Sequence, residues 1–212
     1  MTPGNDSVEG RWVGKTDVVR RVRNGSVEPL PHQHTVGLSM DEIEIVDYDP
    51  LWPAEFENEA RAIRLALRGQ QTLAIEHAGS TAIVGLAAKP IIDIYIAVPS
   101  IAGAQAGLVQ PLEALGYLYW RENPKTDRMF FVKGLPPHGK RRSHHIHVAE
   151  LGSDAWRRPL VFRDYLRAHP NETEEYRDLK FRLAKQHRSD REAYTTAKDA
   201  FVEAIVRKAE VE

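Results

Sequence analysis

Cysteine is absent from the 212-residue chain, which excludes disulfide frameworks, thiolate zinc sites and a thiol nucleophile together. A net charge is nearly absent too. The 29 basic side chains are matched by 30 acidic ones, so no global field attracts DNA or an anionic membrane, and the expected partner is a small molecule. No apolar run reaches the length of a bilayer-spanning helix, and the N-terminus lacks the basic-then-apolar order of a signal peptide; a cytoplasmic protein without a membrane partner is expected. Internal repeats and low-complexity tracts are missing as well. What remains is enough chain for one well-filled core, or for one core with an appended helical part.

Residues 1–40 are read as a loose extension. They scatter Gly, Pro, Ser and Asn among Trp12, Val13, Val18, Val19 and Val22 without a sustained period, too little to close a core. From residue 41 the pattern sharpens into one domain, 41–212. A short strand or extended entry at 43–46 leads through Tyr48-Asp49-Pro50-Leu51-Trp52-Pro53 to a helix, for which Pro53 suits the first turn and Phe56, Ala60, Ile63 and Leu67 supply the buried stripe. Strands are expected at 72–77, 90–98, 117–121, 129–133 and 144–150, with a short helix at 81–87 and a longer one at 102–115. Residues 154–212 read as a helical hairpin: one helix at 154–168, a new start at Asn171 after Pro170, and a last helix from the capping-box pattern Ser189-Asp190-Arg191-Glu192 to about Ala209. The fold class is α/β (α+β), a mixed sheet flanked by helices.

Two segments carry chemistry. In Ala88-Lys89-Pro90-Ile91-Ile92-Asp93-Ile94 one carboxylate interrupts an apolar run, and an ionised carboxylate inside a domain needs a cation or fixed donors beside it. Alternation puts Ile92, Ile94, Ile96 and Val98 on one face of that strand and Asp93 with Tyr95 on the other. Asp93 could instead cap a loop or pair with Lys89 or an arginine. Upstream, Glu76-His77-Ala78-Gly79-Ser80-Thr81 reads as a strand breaking at Gly-Ser, a turn whose backbone donors suit an anion. The second segment is His144-His145-Ile146-His147-Val148, where His145 and His147 share a strand face and could present nitrogens to a metal or to a phosphate. Surface histidines bonded to water are the plain alternative. His77, Asp93, His145 and His147 could in principle build a zinc site. The basic run Lys140-Arg141-Arg142 could attract a polyphosphate or simply be solvated, and Lys198, one turn from Tyr194, could reach a phosphate or snorkel to water.

From about Ile43 onward these stretches, together with Phe162-Arg163-Asp164-Tyr165-Leu166-Arg167 and Tyr194 to Lys198 with Phe201, resemble the GrpB family. That family is a group of the nucleotidyltransferase superfamily that is also found fused to dephospho-CoA kinase in some bacteria. The resemblance implies a nucleotidyltransferase-like sheet in which Gly79, Ser80 and Thr81 hold a nucleotide phosphate, Lys89, Tyr194 and Lys198 line the ligand, and Asp93, His145 and His147 act in the cleft. It implies a divalent metal, magnesium first with zinc or manganese as alternatives, held by Asp93, His77 and His147. Active superfamily members carry a second acid two positions after the first, where this chain has Tyr95. The implied function is therefore binding of a nucleotide or other phosphorylated small molecule with nucleotidyl transfer; the alternatives are a non-catalytic module for nucleotides or CoA precursors, and a metal-dependent hydrolase.

Overall fold

A computed structural model describes residues 19–21, 27–29 and 42–212. The backbone divides into two units, 1–38 and 39–212. In the first, the described part is an antiparallel pair of short strands, β1 (Val19–Arg21) and β2 (Val27–Pro29); the rest of the segment read as a loose extension lies outside the described residues.

The second unit is a mixed α/β fold. Helix α1 (Trp52–Ala66) carries Pro53 in its first turn, where no donor is lost, and buries Trp52, Phe56, Ala60 and Ile63 at helical spacing. Then come β3 (Ala74–Ala78), β4 (Ile92–Val98), α2 (Ile101–Ala114), β5 (Tyr117–Tyr119), β6 (Met129–Lys133), β7 (His144–Glu150) and the helices α3 (Asp154–Ala168), α4 (Pro170–Gln186), α5 (Arg191–Thr196) and α6 (Asp199–Ala209). The strand order is β3-β4-β7-β6-β5. Only β4 and β7 run parallel; every other neighbouring pair is antiparallel.

The aliphatic face of β4, Ile92, Ile94, Ile96 and Val98, packs with Phe131, Ile146 and Val148 under α1 and α2. The opposite face is covered in part by α3, through Ala155 and Trp156 on Tyr95, Ala97 and Ala149. A further cluster joins Ile83 and Leu86 to α3, α4 and α6, and a smaller one joins Ile43 to Leu183 and Tyr194. The sheet thus has one mainly apolar side and one side whose cover is incomplete, and Asp93, His145 and His147 lie on the latter.

Several local expectations change. The stretch 81–87 forms a single 3-10 turn, Ser80–Ala82, rather than a short helix, and Gly85 at φ 79° ends any continuation. Of the short strand or extended entry expected at 43–46, the extended entry is what forms, tied by one bridge, Val46 with Ala88. Helix α4 starts at Pro170, not Asn171, which puts the donorless residue where no donor is needed. The last helix is capped by Asp190, whose side chain accepts from the Ala193 amide, instead of by Ser189. It also breaks in two: Thr195 Oγ1 donates back to the Arg191 carbonyl at 2.8 Å, a bond that bends helices, and α5 ends at Thr196. The hairpin is therefore a set of four helices. No helix among the described residues is long and apolar enough to cross a membrane.

Candidate functional site

Register assembles the polar cluster. Asp93 of β4 lies opposite His145 of β7, and Tyr95 lies opposite His147, so Asp93, His145 and His147 occupy one face of two adjacent strands. Asp93 Oδ1 stands 3.0 Å from His145 Nδ1 and 3.8 Å from His147 Nε2. One ligand atom of each residue lies within 4.8 Å of the others. Burial pushes the His145 imidazole down to about 4 in spite of the Asp93 charge. Burial also tends to raise the Asp93 carboxyl, but the two imidazoles outweigh it and hold that group well below the usual carboxylate range. At neutral pH the pair is a carboxylate accepting from a neutral imidazole Nδ1–H.

Aromatic packing fixes the rings. His147 stacks on Tyr95 with centroids 4.4 Å apart and planes 11° from parallel. Phe130 touches both histidines, at 5.1 Å and 4.8 Å. His145 Nε2 and His147 Nδ1 are buried without a hydrogen-bond partner. On the other side of Asp93, the backbone closes in at Gly79: a Cβ there would stand 2.3 Å from Asp93 Oδ2, and φ is 69°. Only glycine satisfies both the conformation and the approach.

Beside the carboxylate is a group of lysines. Lys89 Nζ and Lys198 Nζ lie 5.0 Å and 4.4 Å from the centroid of the Tyr194 ring, which is 1 % exposed. Lys180, 2 % exposed, sits over Tyr176 and donates to the Ala87 carbonyl. Among the described residues none of the three makes an ion pair. Burial, then Lys198, Arg191 and Arg142, push the Lys89 ammonium down to about 7 against the pull of Asp93. Burial pushes Lys198 down to about 8, opposed by Asp93 and Asp199 and reinforced by Arg191. Lys180 falls to about 6 through burial and then through Lys198 and Lys89. Burial is thus the common cause, and Asp93 is the acid that opposes it at both Lys89 and Lys198.

The structure brings together Asp93, His145, His147, Gly79, Lys89, Lys198 and Tyr194. It does not bring His77 to them. His77 pairs with Ile94 across β3 and β4, one residue out of phase with Asp93, so alternation sends its ring to the apolar side. There it stacks on Phe56 at 4.7 Å and meets Thr81 Oγ1 at 3.0 Å, and burial pushes it down to about 4. Of the expected ligand set, Asp93 and His147 lie together with His145, and His77 does not join them. Thr81 is 1 % exposed, with its hydroxyl committed to His77 and the Ile91 carbonyl; Ser80 meets the Tyr176 hydroxyl. Of the basic run, Arg141 pairs with exposed Glu44 and Arg142 bears on Lys89. Two surface hollows, one lined by Trp52, Glu59 and His144 and one by Val84, Leu166 and Arg177, lie apart from these groups.

Sequence reasoning missed Lys180 and the arginines of α3. Lys180 had a signal: Tyr176, Lys180, Leu183 and Ala184 follow the buried stripe of α4, so a lysine stands at a core position. Arg163, 9 % exposed, donates to the His77 carbonyl at 2.7 Å, to Glu76 at 2.9 Å and twice to Asp164. Arg167 donates twice to the Ala82 carbonyl. The two brace the Gly79–Thr81 turn from both ends.

Comparison with known proteins places these residues in a family. The family model described as GrpB protein matches residues 42–208. A UPF0157 protein of Pseudomonas aeruginosa is 52 % identical over 169 residues, covering 80 % of this chain and 68 % of that protein. The glutamate-rich protein GrpB of Alkalihalophilus pseudofirmus is 32 % identical, covering 82 % and 99 %. A dephospho-CoA kinase of Mycolicibacterium paratuberculosis is 29 % identical, over 90 % of this chain but only 52 % of the kinase. The crystal structure of the conserved protein GrpB from Enterococcus faecalis superposes with a TM-score of 0.70 at 36 % identity, covering 78 % and 96 %.

Proposed function

The chain belongs to the GrpB family, and from that premise we propose that the face carrying Asp93 binds the phosphate groups of a small phosphorylated molecule, a nucleotide or a CoA precursor. The observation that carries this reading is the lysine group: Lys180 is buried and Lys89 and Lys198 are half-buried, each over an aromatic ring, and among the described residues none of them makes an ion pair, Asp93 acting on Lys89 and Lys198 only at a distance. Cations drawn partly out of water without a directly paired carboxylate are costly, and an anion of two or more charges offsets that cost. Lys89 and Lys198 contact the phosphates, Lys180 holds the 87–89 segment through the Ala87 carbonyl, and Gly79 and Ser80 border the anion on the side of Asp93. The kinase relative supplies the ligand class, since its name joins a nucleotide-using activity to a CoA precursor.

Nucleotidyl transfer is the finer reading, favoured by the Asp93–His145 contact of 3.0 Å. A carboxylate that orients a neutral imidazole makes a positioned base. An acceptor hydroxyl would attack the α-phosphorus, its proton would pass to the Asp93–His145 pair, and pyrophosphate would leave.

Titration calorimetry of the full chain with ATP, pyrophosphate and dephospho-CoA, in the presence of a chelator, tests the binding. At least one ligand should bind saturably, and a Lys89→Ala, Lys198→Ala double variant should weaken it by at least about 10-fold, the scale of losing charge-assisted hydrogen bonds. Absence of saturable binding by all three ligands, or an unchanged affinity in the double variant, sinks the reading.

A further inference from the structure

We propose that Asp93, His145 and His147 form a binding site for a divalent transition-metal ion of the zinc class and discriminate against magnesium. The site lies beside the lysines, and the inference stands whether or not phosphate binds. Magnesium, which the nucleotidyltransferase resemblance implies, fits poorly here. It demands a near-octahedral shell of oxygens, whereas this cluster offers one carboxylate and two imidazoles. The position of a second acid is taken by Tyr95, which burial raises above the usual phenol range and which is spent on stacking against His147.

The spacing fits a smaller, nitrogen-accepting ion. Ligand atoms sharing one tetrahedral ion at bonds of about 2.0–2.1 Å stand roughly 3.4 Å apart. The distances of 3.0 Å and 3.8 Å from Asp93 Oδ1 to the two imidazole nitrogens bracket that separation. Parallel pairing of β4 with β7 holds all three on rigid backbone, because Asp93 faces His145 directly and His147 follows two residues on. One to three further coordination positions remain for water or a ligand oxygen.

A second observation comes from hydrogen bonding. His147 has no hydrogen bond at either nitrogen: Nδ1 is buried without a partner, and Nε2 is 3.8 Å from the nearest carboxylate oxygen. Its ring is nevertheless locked between Tyr95 and Phe130. A half-buried imidazole left without a partner is costly, and ring packing does not satisfy it. A metal ion taking the Nε2 lone pair does. Imidazole-rich sets with one carboxylate are chemistry for zinc, iron, cobalt or manganese. Lys89 and Lys198 oppose a bare cation by charge, and an anion bridging the ion to the lysines would offset that repulsion.

The experiment uses the full chain without an affinity tag, treated with chelator and titrated with zinc, cobalt(II) or magnesium alone, no phosphate being present. One zinc ion per chain should bind, and cobalt(II) should give a strong visible absorption band of a low-coordinate nitrogen and oxygen site. His147→Ala and Asp93→Asn should each weaken zinc on the order of 10–100-fold or more, the scale by which even outer partners of a metal site act, while the circular dichroism melt confirms folding. Equal zinc binding in the parent and a His145→Ala, His147→Ala variant, a parent without the cobalt band, or magnesium competing at equal concentration each overturns the inference. The cobalt spectrum of the parent decides the matter even if a variant fails to fold. Phosphate binding, measured separately in chelator, reports on the lysines alone.

Discussion

Lys89 and Lys198 are held at about 7 and about 8 because burial, reinforced by Arg191 at both and by Lys198 and Arg142 at Lys89, favours their neutral amines. An anion reverses that preference by favouring the charged form, so bound ligand raises both values and binding takes up protons. The sign follows directly. Affinity should strengthen as pH falls from above the unliganded values toward about 7, and the uptake is best read near pH 8, where a terminal phosphate with a second pKa of about 6 is already fully ionised. Titrating ATP at pH 8 in two buffers of different ionisation enthalpy should therefore show net proton uptake, lost in the Lys89→Ala, Lys198→Ala variant. Heats that do not depend on the buffer would mean that these amines never meet the ligand. Asp93 moderates the effect, since it is the acid that favours both ammonium groups before ligand arrives.

Helix α3 does more than cover the sheet. Through Arg163 and Arg167 it holds the carbonyls of His77 and Ala82, the two ends of the turn that carries Gly79 against Asp93. Arg163 is nearly buried and spends its fork on Asp164, Glu76 and the backbone. Arg163→Met keeps the apolar stem but strands a buried carbonyl and two carboxylates, and should cost about 2–3 kcal/mol, read as a lower urea midpoint. Arg163→Lys should recover only part of this, because an ammonium cannot reproduce the bidentate contact. A midpoint within error of the parent would show that water replaces the fork and that α3 acts by apolar packing alone.

The hydrophobic clusters described run from Ile43 to Val206, and residues 39–212 form a compact unit by themselves. A chain beginning at Ser39 should therefore fold and melt within about 4 °C of the parent, a shift that corresponds to roughly 1–2 kcal/mol in a chain of this size; a much larger loss by calorimetry would move the domain boundary toward the N-terminus. Within the domain the sequence by itself determined the elements and faces that rest on local periodicity. Alternation in Ile92–Val98 placed Asp93 and Tyr95 opposite the aliphatic side, the same rule paired His145 with His147, and Gly79 marked the turn. Helix ends were legible to a residue or so, except where the Thr195 back-bond divided the last helix and where Asp190 displaced Ser189 as the cap. What only the tertiary structure decided was which strands are neighbours and in what register. That pairing set His145 against Asp93 and turned His77 to the apolar side, a difference of one residue that periodicity within β3 cannot reveal. It also turned Lys180, on a helix remote in sequence, toward Lys89, because charges gather around a ligand through packing between elements, and no spacing along one chain segment records that contact.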